Sequence, residues 1–150
     1  MLWYIIDGWN LLKNIEEIKD KDYKALVDYI KRYNLTGSRN NKVTIVFDGK
    51  FDFLKDSYFD IICSGKKTAD EVIENLVEKT KNRKQIVVIS NDLELIHKIK
   101  LLGANYKKVK DFLSKKKKRE RKREESIKEI SYSLQREITE ELKRIWLEKY

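Results

Sequence analysis

The sequence predicts an α/β domain in which helices cover both faces of a mostly parallel β-sheet. Runs of β-branched and other apolar residues at 2–6, 43–47 and 86–89 are typical of strands that are buried on both faces. Between these runs lie segments whose apolar residues recur at helical spacing. Alternating strands and helices favour parallel pairing, and right-handed crossovers then bring the carboxyl ends of the strands to one edge of the sheet.

The first half of the chain is predicted to hold three strands and one long helix. Apolar residues at i, i+3, i+4 and i+7 indicate the helix over 22–33. Gly, Ser and Asn residues mark a loop at 34–41. The first strand is expected to lead into a loop or short turn at 11–14. The strands of this half are placed at residues 2–6, at 43–47 and, with a weaker pattern, at 58–63.

The second half is predicted to alternate helix and strand twice. Thr68 followed by Glu71 is a capping-box pattern at the start of a helix. Asp70 then falls in the first turn of that helix, near the positive end of its dipole. Asn91 is the expected N-cap of the next helix, which ends near Gly103, a residue type favoured just after a helix. The strands of this half are placed at 86–89 and 105–109.

Charge and the distribution of helix breakers divide the chain into a folded domain, 1–110, and a basic, amphipathic helical extension, 111–150. The chain has no proline and its last glycine is Gly103, so nothing interrupts a helix after residue 111. Of the net charge of +9, the run 115–123 contributes +7 through eight basic residues and one acidic residue, which leaves +2 for the rest. The extension also carries an apolar stripe that either its own domain or a second copy has to cover, so the oligomeric state stays open. The stripe consists of Ile127, Ile130, Leu134, Ile138, Leu142 and Ile145.

The composition disfavours several classes of protein. Cys63 is the only cysteine, so an intramolecular disulfide is impossible. The first residues lack the pattern of a signal peptide, and no apolar run approaches the roughly 20 residues that span a bilayer, so we expect a cytoplasmic protein without membrane contact. Covalent catalysis is also disfavoured, because Cys63 lies in a predicted strand without a plausible base. The single histidine, His97, is expected on a helix surface.

Four aspartates are the candidate functional residues. Asp7, Asp48 and Asp92 follow the ends of predicted strands, and Asp70 lies at a helix start. Because ligands of parallel sheets bind beyond the carboxyl ends of the strands, we expect these side chains at one edge. Carboxylates this close raise one another's pKa, and Mg²⁺ or Mn²⁺, which prefer hard oxygen ligands, would relieve their repulsion. Each aspartate taken singly is explained equally well as a helix cap or a turn residue.

Four short pieces, in this order, resemble the YacP-like proteins of the NYN domain family, a branch of the PIN-like nucleases. They span residues 1 to about 110 and are Ile6-Asp7-Gly8-Trp9-Asn10, Val46-Phe47-Asp48-Gly49, Thr68-Ala69-Asp70-Glu71-Val72-Ile73-Glu74 and Ser90-Asn91-Asp92-Leu93-Glu94. The resemblance implies a PIN-like three-layer α/β/α fold and a metal-dependent ribonuclease in which the aspartates hold the metal. It also implies association with ribosomes and cleavage of mRNA. The chain departs from the family at Trp9, where a tyrosine or another residue is usual. We expect Trp9 in the core or at its rim, with stacking on a base as the alternative.

The resemblance and the aspartates together predict a metal-dependent endoribonuclease with Asp7, Asp48, Asp70, Asp92 and Asn10 as its catalytic residues. One or two Mg²⁺ or Mn²⁺ ions held by the four aspartates would activate a water molecule for in-line attack on a phosphodiester. Asn10, which matches an asparagine of the family, is assigned to a carboxylate or to the substrate phosphate, with a turn role as the alternative. Asp48 has the alternative of acting through a water molecule, and Asp70 that of a first-turn carboxylate favoured by the helix dipole.

Two rival functions are weighed against the residues present. Haloacid-dehalogenase-like phosphatases need Asp-x-Asp after the first strand, and this chain has Asp7-Gly8-Trp9, which disfavours that class. A catalytically silent module that binds RNA or the ribosome on the same fold is the second rival. Loss of an acidic ligand would favour such a module, and all four aspartates are present.

The basic run is predicted to contact the phosphate backbone of RNA, with a solvated helix surface as the alternative. A run with no interleaved aromatic residue suits structured RNA or a charged backbone better than stacked single-stranded bases. The predicted RNA-binding residues are Lys115, Lys116, Lys117, Lys118, Arg119, Arg121, Lys122 and Arg123.

Overall fold

The computed structural model describes residues 1–114, which form one compact unit, Met1–Ser114. Its centre is a five-stranded sheet in which every neighbouring pair is parallel, in the order β3-β2-β1-β4-β5. The predicted α/β fold with a parallel sheet is confirmed. The strands are β1 (Trp3–Asp7), β2 (Lys42–Phe47), β3 (Asp60–Cys63), β4 (Ile86–Ile89) and β5 (Asn105–Lys107).

Helices cover both faces of this sheet, so the described part of the chain has the three layers that were expected. The helices are α1 (Gly8–Lys13), α2 (Tyr23–Arg32), α3 (Ala69–Lys79) and α4 (Leu93–Leu101). α1 and α2 pack on one face, and α3 and α4 pack on the other. A further helical segment at 109–114 buries Phe112 completely in the core beside α1 and α2. The compact unit therefore includes residues beyond the predicted domain boundary at 110.

Alternation along the buried strands decides which side chains each pair of helices covers. In β1, Tyr4 and Ile6 lie in the core beneath α1 and α2, whereas Ile5 lies beneath α3 and α4. In β2, Val46 also lies in the α3–α4 core. Because successive side chains of a strand point to opposite faces, Asp7 continues the series of Ile5 and emerges on the α3–α4 face.

The prediction of a loop or short turn at 11–14 is wrong, because α1 begins directly after β1 and runs to Lys13. The helix has only six residues, too few for a helical period to be recognised in the sequence. Its first residue, Gly8, is buried, and a Cβ added there would lie 2.4 Å from the ring of Phe47. The missing side chain of Gly8 thus allows the helix to start this close to β2.

Side-chain caps fix the starts of α3 and α4. Thr68 Oγ1 accepts a hydrogen bond from the Glu71 N–H at 3.2 Å, which confirms the predicted N-cap of α3. The predicted N-cap of α4, Asn91, is wrong. Asp92 holds that position, and its Oδ1 accepts from the Glu94 N–H at 3.0 Å. The side chain of Asn91 is engaged elsewhere, as described below.

The remaining differences lie at the ends of elements and beyond residue 114. β3 begins at Asp60 and β5 ends at Lys107, so both strands are shorter than predicted. The predictions of a basic RNA-binding run at 115–123 and of an apolar stripe after it lie outside the described residues. Within 1–114, no helix combines the length and the apolar character needed to cross a membrane.

Candidate active site

The order of the strands reverses between β1 and β4, where sheets of this kind bind their ligands. Asp7 ends β1 and is 8% exposed, and Ser90, directly after β4, is fully buried. The Ser90 hydroxyl donates to Asp7 Oδ2 at 3.3 Å and accepts from the Asp92 N–H at 3.1 Å. Ser90 therefore fixes two of the predicted site residues relative to each other.

Asp48 lies at the same edge of the sheet, just beyond the end of β2. Val46 is paired with Asp7 in the sheet register, so Asp48 lies two residues further on and follows the same face of the strand. Its carboxylate is exposed and accepts from the Ser64 hydroxyl at 3.1 Å. The Trp9 Nε1–H donates to the backbone oxygen of Asp48 at 2.8 Å. Groups from two separate segments, α1 and the loop after β3, thus hold Asp48 at the strand end.

Asp70, in the first turn of α3, pairs its carboxyl group with that of Asp92. Burial, the hydrogen bond to Asp92 and the negative charges of Asp92 and Asp7 raise the pKa of Asp70 to about 7. The hydrogen bond from Asp70 and those from the N–H groups at the start of α4 lower the pKa of Asp92. Near neutral pH, part of the molecules therefore keep a proton between these two carboxyl groups.

Asp7 interacts electrostatically with each of the other three aspartates. Burial raises the pKa of Asp7, and the charges of Asp92 and Asp48 raise it further. The hydrogen bond from Ser90 and the nearby backbone N–H of Asn10 act in the opposite direction. The structure therefore places all four aspartates that the sequence singled out at one edge of the sheet, where Asp7 interacts electrostatically with the other three.

The fit of these residues to a divalent cation can be judged from their chemistry and their arrangement. Carboxylate oxygens are the donors that Mg²⁺ and Mn²⁺ prefer, and the raised pKa values of Asp7 and Asp70 reflect a charge that a cation would relieve. Asp92 uses Oδ1 for the cap of α4, and its carboxyl group is also hydrogen-bonded to that of Asp70. Residues 1–114 contain no group of three His, Cys, Asp or Glu side chains already placed to hold a metal ion. The donor set fits a cation, and the side chains would have to close around it.

Asn10 lies in α1 and connects this helix to the loop after β4. Its Oδ1 accepts from the Asn91 N–H at 3.1 Å, and Asn91 Oδ1 accepts from the Val109 N–H at 3.0 Å. The Asn10 side chain has no other hydrogen bond among the described residues, so its amide N–H groups are free to donate. Asn10 is half-buried and lies three residues after Asp7. Its assignment as a catalytic residue stays a prediction.

Sequence reasoning gave no role to three residues that shape this site: Ser90, Ser64 and Lys98. Lys98 lies on α4, its Nζ is 3.6 Å from Glu74 Oε2, and its charge lowers the pKa of both Asp70 and Asp92. The sequence carries one usable signal for Ser90, since it stands between a buried strand and an aspartate. Ser64 and Lys98 act across separate elements and leave no local pattern.

The remaining predictions at this edge concern residues without an assigned role in the chemistry. His97 is exposed on α4, as expected. Trp9 is half-buried, and its ring packs against those of Phe47 and Phe51 with centroids 4.7 and 5.6 Å away. This agrees with the prediction of a residue in the core or at its rim. Cys63 contacts the backbone oxygen of Phe51, with Sγ at 3.8 Å.

Comparisons with known proteins agree with the fold of the described residues. The family model described as the YacP-like NYN domain matches residues 4–150. Two crystal structures of Rae1 (YacP) from Bacillus subtilis have the same fold, each with a TM-score of 0.66. A tryptophan-to-leucine variant is 24% identical over 88% of this chain and 85% of that chain. The structure without that substitution is 22% identical over 89% and 83%. No curated protein sequence matches the chain. The family model covers nearly the whole sequence, and the chain belongs to the YacP-like NYN domain family.

Proposed function

We propose that this protein is a metal-dependent endoribonuclease that hydrolyses phosphodiester bonds of RNA in the cytoplasm, with mRNA on the ribosome as its target. Membership of the NYN family supports a nuclease-type function. The observation that carries the proposal is the electrostatic coupling of Asp7, Asp48, Asp70 and Asp92 at the switch in strand order. Such a cluster is costly without a cation, and phosphoryl chemistry uses cations in this setting.

The four aspartates are the residues that would hold Mg²⁺ or Mn²⁺. When bound, the ion would supply Lewis-acid stabilisation of negative charge on the phosphate and activation of the attacking water. Asp7 and Asp92 are the best-fixed members, because Ser90 binds both and the N-terminus of α4 binds Asp92. Asp48 and Asp70 complete the donor set from β2 and α3.

The other groups of the site serve to orient these carboxylates and the substrate. The Ser90 hydroxyl keeps one oxygen of Asp7 in place and favours its charged form. Asn10 can donate its free amide N–H groups to a phosphate oxygen while its own oxygen stays bound to Asn91. Trp9 supports the backbone of Asp48, so we assign it to positioning rather than to stacking on a base.

The test is cleavage of RNA by the full chain with Mn²⁺ or Mg²⁺, with and without ribosomes, and with an EDTA control. Asp7→Asn and Asp92→Asn should each abolish cleavage, since both remove a charged ligand without changing side-chain size. Asp28→Asn is the matched control, because Asp28 is exposed on α2 on the opposite face of the sheet. Cleavage that needs ribosomes would assign the partner as well, whereas full activity of either site variant would exclude this site.

One observation favours the second candidate, a binding module without catalysis. Within residues 1–114, no three His, Cys, Asp or Glu side chains are arranged as ligands of one metal ion. A module of this kind would bind RNA or ribosomes tightly and would cleave under none of these conditions. Binding of RNA that is unchanged by Asp7→Asn and by EDTA, together with absence of cleavage, would decide for it.

A further inference from the structure

A cluster of exposed lysines borders the candidate active site on the side of β2 and β3. Lys50 follows β2 by three residues, and Lys66 and Lys67 lie in the loop between β3 and α3. We call Lys50, Lys66 and Lys67 the lysine rim. Asp48, one of the four aspartates of the site, lies two residues before Lys50 and binds the hydroxyl of Ser64, two residues before Lys66.

Hydrogen bonds hold the two loops of the rim side by side. The Ser64 N–H donates to the Phe47 oxygen and the Gly65 N–H to the Gly49 oxygen, both at 2.9 Å. The Ser64 hydroxyl in turn accepts from the Gly49 N–H at 2.9 Å. These bonds continue the parallel pairing of β2 with β3 past the ends of the strands. They place the residues that follow the two glycines, Lys50 and Lys66, on adjacent stretches of backbone.

The positive charges of the rim are not neutralised within the described residues. All three lysines are exposed, and none of them forms an ion pair or a cation–π contact with residues of 1–114. The glycines at the base of the rim, Gly49 and Gly65, have φ of 93° and 66°, and no atom lies within 4 Å of a Cβ built on either. The surface over these loops is therefore open as well as positively charged.

We propose that the lysine rim binds the phosphate backbone of the RNA strand next to the phosphodiester that is cleaved. The inference deepens the proposed function and rests on it for the identity of the substrate. The physical reason is charge: an edge with four carboxylates repels a polyanion unless cations stand close by. Three free lysines on a hydrogen-bonded pair of loops beside Asp48 provide these cations on the folded domain itself. This contact is separate from the predicted contribution of the basic run 115–123.

The experiment measures binding of a short fluorescent single-stranded RNA to the full chain as a function of salt, in EDTA so that cleavage does not interfere. The rim variant carries Lys50→Gln, Lys66→Gln and Lys67→Gln. Each lost phosphate contact lowers the steepness of log K against log salt by about 0.7, so the slope should decrease by about 2. Affinity should fall most strongly at low salt, where counterion release contributes most.

The matched control carries Lys79→Gln, Lys81→Gln and Lys84→Gln. These lysines are also exposed, but they lie between the end of α3 and the start of β4, at the opposite edge of the sheet. The control has the same net charge as the rim variant and should keep the wild-type slope. A second variant with arginine at the three rim positions should keep the slope too, since it preserves charge. Equal melting temperatures of all variants would show that they are folded.

Equal slopes for the rim variant and its control would overturn the inference, and so would absence of RNA binding by the wild type. The readout is independent of catalysis. A rim-dependent slope in a protein that cleaves no RNA would support the rim and reject the nuclease. RNA cleavage by a protein whose salt slope does not depend on the lysine rim would support the nuclease and reject the rim.

Discussion

Asp70→Asn should stabilise the protein in the absence of metal, and the effect should depend on pH. In the folded protein the pKa of Asp70 is raised from 3.8 to about 7, chiefly by burial and by Asp92. In the unfolded chain Asp70 loses its proton near pH 4. Between these values the folded state binds more protons than the unfolded state, so stability falls as pH rises from about 4 to about 7. The raised pKa of Asp7 acts in the same direction.

The magnitude follows from the difference between the two pKa values of Asp70. Without solvent screening, a change in pKa from 3.8 to about 7 corresponds to about 4 kcal/mol of stability. Asp70 is only half-buried, and solvent screening reduces the effect to about 1–2 kcal/mol. Because part of this loss occurs below pH 5, we expect the wild-type free energy of unfolding in EDTA to be lower at pH 8 than at pH 5 by about 1 kcal/mol. Asp70→Asn should remove most of the difference.

Urea denaturation at pH 5 and pH 8, each in EDTA, measures both quantities. Asp28→Asn serves as the control for the loss of one carboxylate, and it should leave the pH dependence of the wild type in place. The reasoning is refuted if wild-type stability is the same at both pH values, or if Asp70→Asn is the less stable protein at pH 8. Repeating the series with saturating Mn²⁺ should reduce the pH dependence of the wild type, because a bound cation offsets the same repulsion.

Two further predictions concern residues that support the site. Gly8→Ala should lower the free energy of unfolding by about 1–3 kcal/mol, because the added Cβ would lie 2.4 Å from the Phe47 ring; a urea midpoint equal to that of the wild type would contradict the close packing. Ser90→Ala should cost about 1–2 kcal/mol by leaving the Asp92 N–H without its acceptor and Asp7 without its donor. In a cleavage assay, Ser90→Ala should also shift the pH profile to higher pH, since the hydrogen bond from Ser90 lowers the pKa of Asp7; an unchanged profile would argue against this role.

The aspartates and most of the strands could be predicted because their signals are local. A buried strand shows itself as a short apolar run, and the residue that ends the run marks the functional edge of a parallel sheet. Asp7, Asp48 and Asp92 follow such runs, and Thr68 with Glu71 marks a helix start next to Asp70. Order along the chain was therefore enough to name four side chains that the structure then places at one edge of the sheet.

What the sequence could not supply depends on contacts between distant segments. Asn91 and Asp92 are both good helix caps, and the choice between them depends on Asn10, 81 residues earlier, and on the Val109 N–H. The bond from Ser90 to Asp7 joins residues 83 positions apart, which no local pattern reports. α1 was missed for another reason, since six residues beginning with a buried glycine show no helical period.

The position of β1 in the centre of the sheet has a consequence for the order in which the sheet can form during synthesis. During synthesis β1 emerges first, and β2 and β3 can join it on one side only. The other neighbour, β4, arrives after the crossover through α3, and it brings Ser90 and Asp92 with it. A nascent chain that ends before residue 86 thus carries Asp7 without Ser90 and Asp70 without Asp92. The candidate active site therefore stays incomplete until translation has passed through most of the folded domain.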